Sequence, residues 1–187
     1  MRIISGKLKG RAINFLKNST TRPLKDSVKE NIFNVLKHSN LINPKVENAS
    51  ILDLYSGIGS FGIESISRGA KKVVFVEQNL DASSILKNNL IKLSIIDKSK
   101  IFTGKIENFF FEKIKEKFNI FFLDPPFADT SFFKNIKLIK KNKIFESNHI
   151  VIIHRDKKSK DNFKDLLEII ETKQYGRSKI IFGILEE

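Results

Sequence analysis

Cysteine and tryptophan are absent from the 187 residues of the chain, which contains one methionine and three histidines. The lack of cysteine excludes disulfides and thiolate metal sites, and three scattered histidines form no evident metal-ligand cluster, so we expect no metal. No apolar run approaches the roughly 20 residues of a membrane-spanning helix. The opening MRIISGKLKG also lacks the apolar core of a signal peptide. We therefore predict no membrane segment and a cytoplasmic location.

Length and composition suit one domain spanning 1–187. Hydrophobic residues make up 41% of the chain, including 17 phenylalanines, which is ample for a core. Lysine and arginine outnumber acidic residues to give a net charge of +13, and such a surface attracts polyanions such as nucleic acid. We predict a basic N-terminal arm over 1–25 and a folded core over 26–187.

Short apolar segments that are typical of strands alternate with helix-like segments along the core. We predict strands at 51–54, 73–76, 101–103, 120–123, 149–153, 168–175 and 178–185. We predict a helix-like stretch that follows Gly62 and runs through Arg68, and helices at 81–93, 106–117, 131–140 and 161–167. This alternation predicts an α/β, Rossmann-like fold with a mostly parallel seven-stranded sheet and an antiparallel C-terminal hairpin.

The segment Asn119 to Phe127, NIFFLDPPF, is an apolar run that ends in a carboxylate, two prolines and an aromatic ring. Ligands of parallel sheets sit beyond the carboxyl ends of the strands, where Asp124 would stand. Asp124 and the carbonyl of Pro125 could accept both hydrogens of a planar amine, and Phe127 could stack on the ring that bears it. The alternative is that Asp124 caps a helix in a proline-rich turn.

A second cluster follows the strand at 51–54. Gly57, Gly59 and Gly62 fit the pattern G-x-G-x-x-G between a strand and a helix, and Glu77 ends the next strand twenty positions after Gly57. A carboxylate there can accept both hydroxyls of a ribose, so a nucleoside-like cofactor is expected. The glycine pattern alone favours a dinucleotide. Asp53, just before the loop, instead favours a ligand with an ammonium or sulfonium group, such as S-adenosylmethionine.

The first thirty residues are rich in basic side chains. Ile3 to Ile13 is predicted to form two short strands joined around Gly6 to Gly10, and Ser27 to Glu30 reads as a capping box that opens a helix. We expect RNA to contact Arg2, Lys7, Lys9, Arg11, Arg22, Lys25 and Lys29. The alternative is that the arm and helix only cover a sheet edge.

Together these segments resemble class I S-adenosylmethionine-dependent methyltransferases that act on exocyclic amines, and within them the RsmD-type 16S rRNA guanine-N2 methyltransferases. The resemblance covers nearly the whole chain. It rests on Met1 to Gly6 with Lys9-Gly10-Arg11, on Thr21-Arg22-Pro23 with Asp26, Lys29, Glu30, Phe33, Asn34 and Leu36, on Asp53 to Ala70, and on Glu77, Asp124 to Phe127 and Tyr175-Gly176.

The resemblance implies S-adenosyl-L-methionine as the cofactor. It also implies 16S rRNA, within a small-subunit assembly particle, as the partner. We expect the enzyme to be a monomer. Catalysis is then expected of Asp124, Pro125, Pro126 and Phe127, and cofactor contacts of Asp53, Tyr55, Gly57, Gly59, Glu77, Gln78, Lys105, Ile106 and Asp124. Lys105 is a departure, because the family usually has Asp or Asn at the matching place beside the adenine. A backbone N–H and the apolar contact of Ile106 could serve there instead.

Three other functions remain open from the residues alone. An adenine-N6 methyltransferase acting on DNA or RNA needs the same geometry at Asp124 to Phe127. An NAD-binding oxidoreductase would fit the glycine pattern, although no hydride-site histidine or Tyr-Lys pair is recognisable. A non-catalytic RNA-binding module would fit the charge of the arm.

Overall fold

The computed structural model of the protein describes residues 1–15, 24–112 and 114–186. The helices are α1 (Asp26–His38), α2 (Ser60–Ser67), α3 (Leu80–Lys92), α4 (Ile106–Phe111) and α5 (Phe132–Asn142), and a 3-10 turn spans Ile96–Lys98. The strands are β1 (Ser50–Leu54), β2 (Lys72–Glu77), β3 (Ser99–Thr103), β4 (Phe118–Leu123), β5 (Phe145–Asp156), β6 (Leu167–Tyr175) and β7 (Ser178–Leu185).

All seven strands join one sheet in the order β3-β2-β1-β4-β5-β7-β6. The pairs from β3 through β5 are parallel, whereas β7 is antiparallel to both β5 and β6. The chain leaves β1 toward β2 on one side and returns to β4 on the other, so a topological switch point lies between β1 and β4. The predicted α/β fold, mostly parallel sheet and antiparallel C-terminal hairpin are confirmed.

The central strands are apolar on both faces because helices cover both sides of the sheet. One core contains residues of α1, α2 and α3 with the inward residues of the arm, and the other contains residues of α4 and α5. On the first face Phe61 stacks on Phe33 of α1 at 5.1 Å and on Phe122 of β4 at 4.0 Å between ring centroids. This stack fixes α1 and α2 against the strand that precedes Asp124.

Over its described residues 1–15 the N-terminal arm forms a single antiparallel bridge, Arg2 with Ala12, rather than the two strands predicted. The amide of Ile3 donates to the carbonyl of Arg11 at 2.9 Å, and the side chains of Ile3 and Ile13 are buried in the core. The turn between them packs on the end of α2, where the amide of Lys7 donates to the carbonyl of Ser67 at 2.7 Å.

The predicted capping box is wrong. The helix begins at Asp26, so Ser27 lies within its first turn, and the residue before the helix, Lys25, makes no side-chain cap. Val28, Ile32 and Leu36 of this helix are buried.

Two predicted helices also differ from the structure. The one expected over 106–117 ends at Phe111, because the chain turns to an extended conformation at Glu112 and Phe111 itself is 84% exposed. The one expected over 161–167 does not form: 161–163 are irregular, 164–166 make a turn, and Leu167 begins β6. In this segment the amide of Lys164 donates to the Asn162 side chain at 3.0 Å. The bond between Lys164 and the Asn162 side chain is local, and bonds of this kind compete with helix formation. The Asp161 side chain binds Arg155.

Candidate active site

A cavity of about 710 Å³ opens at the carboxyl ends of β1, β2 and β4, beside the topological switch point. Leu54 of β1 pairs with Leu123 of β4, so the chain segments that follow these two strands leave the sheet side by side. The cavity is lined by most of the predicted site residues: Asp53, Tyr55, Gly57, Glu77, Gln78, Lys105, Ile106, Asp124, Pro125, Pro126 and Phe127. The structure thus brings the predicted cofactor and catalytic segments to one place.

The glycine loop wraps the cavity end of α2. Gly59 precedes the helix with a φ of +86°, and a Cβ at this position would lie 2.4 Å from a methyl carbon of Leu86. A Cβ on Gly62 would lie 2.2 Å from the ring of Phe75 in β2. Both glycines are therefore required for the close packing of loop and helix on the rest of this face.

Glu77, at the end of β2, holds the glycine loop in place. Its Oε2 accepts the amide hydrogen of Gly57 at 2.6 Å and its Oε1 accepts that of Asn79 at 2.7 Å. A carboxylate offers about four lone-pair positions, so two stay free for a ligand in the cavity. Asn79 in turn caps α3 by accepting the amide hydrogen of Ala82 at 2.9 Å.

Asp53 lies beneath the glycine loop with an exposed fraction of 1%. Burial raises the pKa of Asp53 well above its ordinary value, the hydrogen bond from the Gly62 amide at 3.1 Å opposes this rise, and the charges of Asp124 and Glu77 add to it. All three carboxylates line the same cavity. A cation bound among them would stabilise the ionised form of Asp53.

Asp124 is held by residues that sequence reasoning did not identify. Its Oδ1 lies 2.8 Å from Nδ1 of His154, whose Nε2 lies 2.8 Å from the Ser178 hydroxyl. His154 follows Ile153, which pairs with Leu123, so adjacent strand ends place the two side chains together. The only sequence signal was a polar run, His154 to Asp156, directly after the apolar run of the fifth predicted strand.

Arg155 secures the loop that follows Asp124. Its guanidinium is buried, contacts both carboxylate oxygens of Asp161 at 3.1 and 3.2 Å, and lies 4.5 Å over the ring of Phe132. It also donates to the carbonyls of Pro126 at 3.3 Å and Phe127 at 3.1 Å. This arginine, also missed from the sequence, fixes the path of the proline turn.

Tyr55 stands between β1 and the glycine loop in the left-handed region, with a φ of +62°. Its hydroxyl accepts a hydrogen bond from Nδ2 of Asn135 in α5 at 2.7 Å. Burial, as the main cause, raises the pKa of Tyr55 to about 12. The side chain is therefore a neutral phenol that ties this wall of the cavity to α5.

Lys105, at the predicted adenine side of the cavity, precedes α4 and caps it without a side-chain hydrogen bond. Its side chain is exposed, whereas Ile106 is buried with an exposed fraction of 8%. The neighbouring Gly104 amide donates to the Glu77 carbonyl at 2.8 Å, which fixes this turn next to the end of β2.

The residues predicted to contact RNA are dispersed. Lys25 lines the cavity together with Phe15, a half-exposed aromatic residue at the end of the arm. Lys7 and Lys9 are exposed on the turn that packs on the far end of α2, an eight-residue helix about 12 Å long. Arg2 and Arg11 are exposed along the hairpin between these points, and Arg22 lies outside the described residues.

The prediction that Lys29 contacts RNA is wrong, because its exposed fraction is 0%. Its Nζ lies 3.3 Å from the Ser60 hydroxyl and 3.9 Å from Glu64, a buried carboxylate. Glu64 also accepts the amide hydrogens of Ile4 at 2.8 Å and Ser5 at 2.9 Å. Lys29 therefore belongs to a buried charged network that anchors the arm to α2.

Two further properties concern residues 1–15, 24–112 and 114–186. None of the helices there combines the length and apolar character needed to cross a membrane. No group of three or more His, Cys, Asp or Glu side chains in those ranges is arranged to hold a metal ion.

The sheet order, the glycine loop after β1 and the acidic cavity at the switch point define the class I methyltransferase fold. Comparison with solved structures agrees: a protein from Escherichia coli provisionally described as a methyltransferase superposes with a TM-score of 0.84 at 24% identity, covering 100% of this chain and 98% of that one. An RNA methyltransferase from Salinibacter ruber, solved in complex with S-adenosyl-L-homocysteine, gives a TM-score of 0.64 at 16% identity, covering 89% and 95%.

Sequence comparison defines the family. The chain belongs to the family described as conserved hypothetical protein 95, whose model matches residues 1–184. A curated relative from Buchnera aphidicola, named ribosomal RNA small subunit methyltransferase D, is 33% identical over 83% of this chain and 76% of its own length. The resemblance seen in the sequence is thereby confirmed.

Proposed function

We propose that the protein transfers a methyl group from S-adenosyl-L-methionine to the exocyclic N2 amine of a guanine in small-subunit (16S) rRNA. The observation that carries the proposal is that one cavity contains both predicted segments. Asp124 and its proline turn border the cavity on one side, and Gly57 and Glu77 border it on the other. The name of the curated relative supports ribosomal RNA of the small subunit as the substrate. The choice of guanine N2 rests on the family resemblance.

The cavity fits the cofactor in charge and in hydrogen-bonding groups. Asp53, Glu77 and Asp124 make it acidic within a chain of net charge +13, which suits a ligand carrying ammonium and sulfonium groups. The free lone pairs of Glu77 would accept the ribose hydroxyls, and the Ile106 side chain with the backbone at Lys105 would meet the adenine. When bound, the cofactor supplies an electrophilic methyl group on a positively charged sulfur.

The proline turn presents acceptors to the target amine. Arg155 engages the carbonyls of Pro126 and Phe127, whereas the Pro125 carbonyl receives no hydrogen bond from the described residues. Oδ2 of Asp124 likewise receives no hydrogen bond from the described residues. The Pro125 carbonyl and this oxygen would therefore accept the two hydrogens of the amine. Asp124 would also stabilise the positive charge that develops on nitrogen, a preorganised electrostatic effect that requires no strong base.

The substrate base must be unpaired or flipped out, since a stacked base cannot bring its amine to Asp124. Loops in RNA meet this requirement at low cost. Phe127, with an exposed fraction of 37% at the cavity, is placed to stack on the base, and Lys25 with the exposed arm residues would contact phosphates. We further expect a monomeric cytoplasmic enzyme, one domain over 1–187, acting on a small-subunit assembly particle.

Two measurements test the proposal. Calorimetric titration should show binding of S-adenosylmethionine and none of NAD, because the acidic cavity opposes a pyrophosphate. Radiolabelled methyl transfer should then be compared on small-subunit particles and on naked 16S rRNA, with particles expected to be the better substrate. Binding of NAD alone, or cofactor binding with no transfer to either RNA, would contradict the proposal.

A further inference from the structure

His154 is a buried histidine with two well-defined partners and direct access to the proposed reaction site. Its exposed fraction is 8%, it lines the cavity, and the edge of its ring faces Phe127 at 5.5 Å between centroids. Its two ring nitrogens lie 2.8 Å from Asp124 and 2.8 Å from Ser178.

The partners determine which nitrogen carries the hydrogen. An ionised carboxylate only accepts hydrogen bonds, so Nδ1 of His154 must donate to Asp124. In the neutral imidazole Nε2 is then an acceptor, and the Ser178 hydroxyl donates to it. Ser178 follows the hairpin turn between β6 and β7, so the C-terminal hairpin holds the ring of a side chain on β5 by its second nitrogen.

This chain of bonds orients the carboxylate of Asp124. Oδ1 is taken by His154, which leaves Oδ2 as the oxygen available to an incoming amine. The next residue of β5, Arg155, holds the carbonyls of Pro126 and Phe127. Consecutive residues of one strand therefore fix the side chain of Asp124 and the backbone that follows it.

We propose that His154 is a positioning residue for the methyl transfer, holding Asp124 by Oδ1 so that Oδ2 faces the target amine, with Ser178 holding the His154 ring through Nε2. The proposal rests on the proposed function. A freely rotating carboxylate would still make the cavity acidic, so cofactor affinity is expected to persist without His154. The rate of the chemical step is expected to fall, because a misplacement of about 1 Å can cost roughly 10²-fold.

The test uses two variants of similar shape. His154→Asn keeps an amide N–H near the position of Nδ1, whereas His154→Leu puts a methyl group there. We expect His154→Leu to lower kcat by about 10- to 100-fold with the KM for S-adenosylmethionine nearly unchanged, and His154→Asn to recover most of the loss. Ser178→Ala, which leaves the bond to Asp124 intact, should lower kcat by only a few-fold.

His149 provides the matched control, since it is another buried histidine of β5. Its Nδ1 lies 2.7 Å from the Glu146 carbonyl and its Nε2 accepts the Leu185 amide hydrogen at 2.9 Å, at the opposite end of the strand from Asp124. His149→Leu should lower stability without changing kcat. A similar loss of kcat in both leucine variants would mean that His154 acts only through stability, and would overturn the proposal.

A spectroscopic readout is independent of activity. Long-range ¹H–¹⁵N correlations should show His154 protonated at Nδ1 and bare at Nε2, and this pattern should change in Asp124→Ala. An Nε2–H tautomer would overturn the proposal. Wild-type protein that methylates no RNA would overturn the proposed function and this role together, whereas an active wild type with an equally active His154→Leu would overturn the role of His154 alone.

Discussion

Three acidic side chains border the same cavity but are held by different partners. Asp53 is buried under the glycine loop, Glu77 binds two backbone amides, and Asp124 is fixed through one oxygen by His154. In the proposed function Glu77 would therefore shape the cofactor side of the cavity, whereas Asp124 would face the side where the base enters. Their substitutions should separate binding from chemistry.

Asp124→Ala should lower kcat for methyl transfer by at least about 10²-fold while the Kd for S-adenosylmethionine stays within a few-fold, because the acceptor for the amine is lost. Glu77→Ala should instead raise that Kd by about 10- to 100-fold, the effect of losing hydrogen bonds to a charged group. Calorimetry and single-turnover transfer measure the two quantities.

Glu107→Ala is the matched control, since Glu107 lies at the same cavity and its only ionic partner among the described residues is Lys134 at 3.9 Å. It should change neither quantity beyond a few-fold. Loss of cofactor affinity in Asp124→Ala, with transfer surviving in that variant, would reverse the roles assigned to the two carboxylates.

The central strands β1, β2, β4 and β5 were predictable as elements because they contain continuous apolar runs, and residues at the ends of these strands border the candidate site. Asp53, Glu77 and Asp124 could be placed at one sheet edge from the alternation of strands and helices alone. His154 and Ser178 could not, because their contact with Asp124 depends on β5 lying beside β4 and β7 beside β5. The helix predicted over 161–167 failed for a related reason, since Asp161 binds a distant arginine.

The pairing of β5 with the end of β7 should make stability depend on pH through His149. Burial lowers the pKa of His149 from its ordinary value of 6.5, since the ring must stay neutral to accept the Leu185 amide hydrogen. The unfolded chain then binds more protons than the folded one, so the free energy of unfolding should fall as the pH drops below about 6.5. Denaturant unfolding between about pH 5 and pH 7.5 measures this dependence.

The variant His149→Gln, which does not titrate, should show a flatter pH dependence over the same range. Equal slopes for wild type and variant would show that another group causes the dependence.

Across the molecule as a whole, the described basic residues of the arm extend from the cavity to the far end of α2. The acidic residues of the candidate site instead line the cavity. The buried pair Lys29 and Glu64 fixes the arm to α2 and so sets the direction of this basic surface. An RNA strand bound at the cavity would follow the arm over roughly the length of that helix.

Charge reversal of Lys7, Lys9 and Arg11 to glutamate should weaken RNA binding and flatten its salt dependence. Each lost phosphate contact should reduce the slope of log K against log salt by about 0.7 on single strands. The control is Lys137→Glu, Lys141→Glu and Lys143→Glu, which makes the same change in net charge at exposed positions in α5 and directly after it, on the opposite face of the sheet. Equal effects in the two triple variants would mean that net charge, and not the arm, determines affinity.

Nucleoside analysis by mass spectrometry of small-subunit rRNA methylated by the purified enzyme identifies the methylated atom and shows whether its methylation requires Asp124. We expect N2-methylguanosine as the product with wild-type enzyme and its absence with Asp124→Ala. Formation of N6-methyladenosine, or of any product unaffected by the loss of the Asp124 carboxylate, would contradict this expectation.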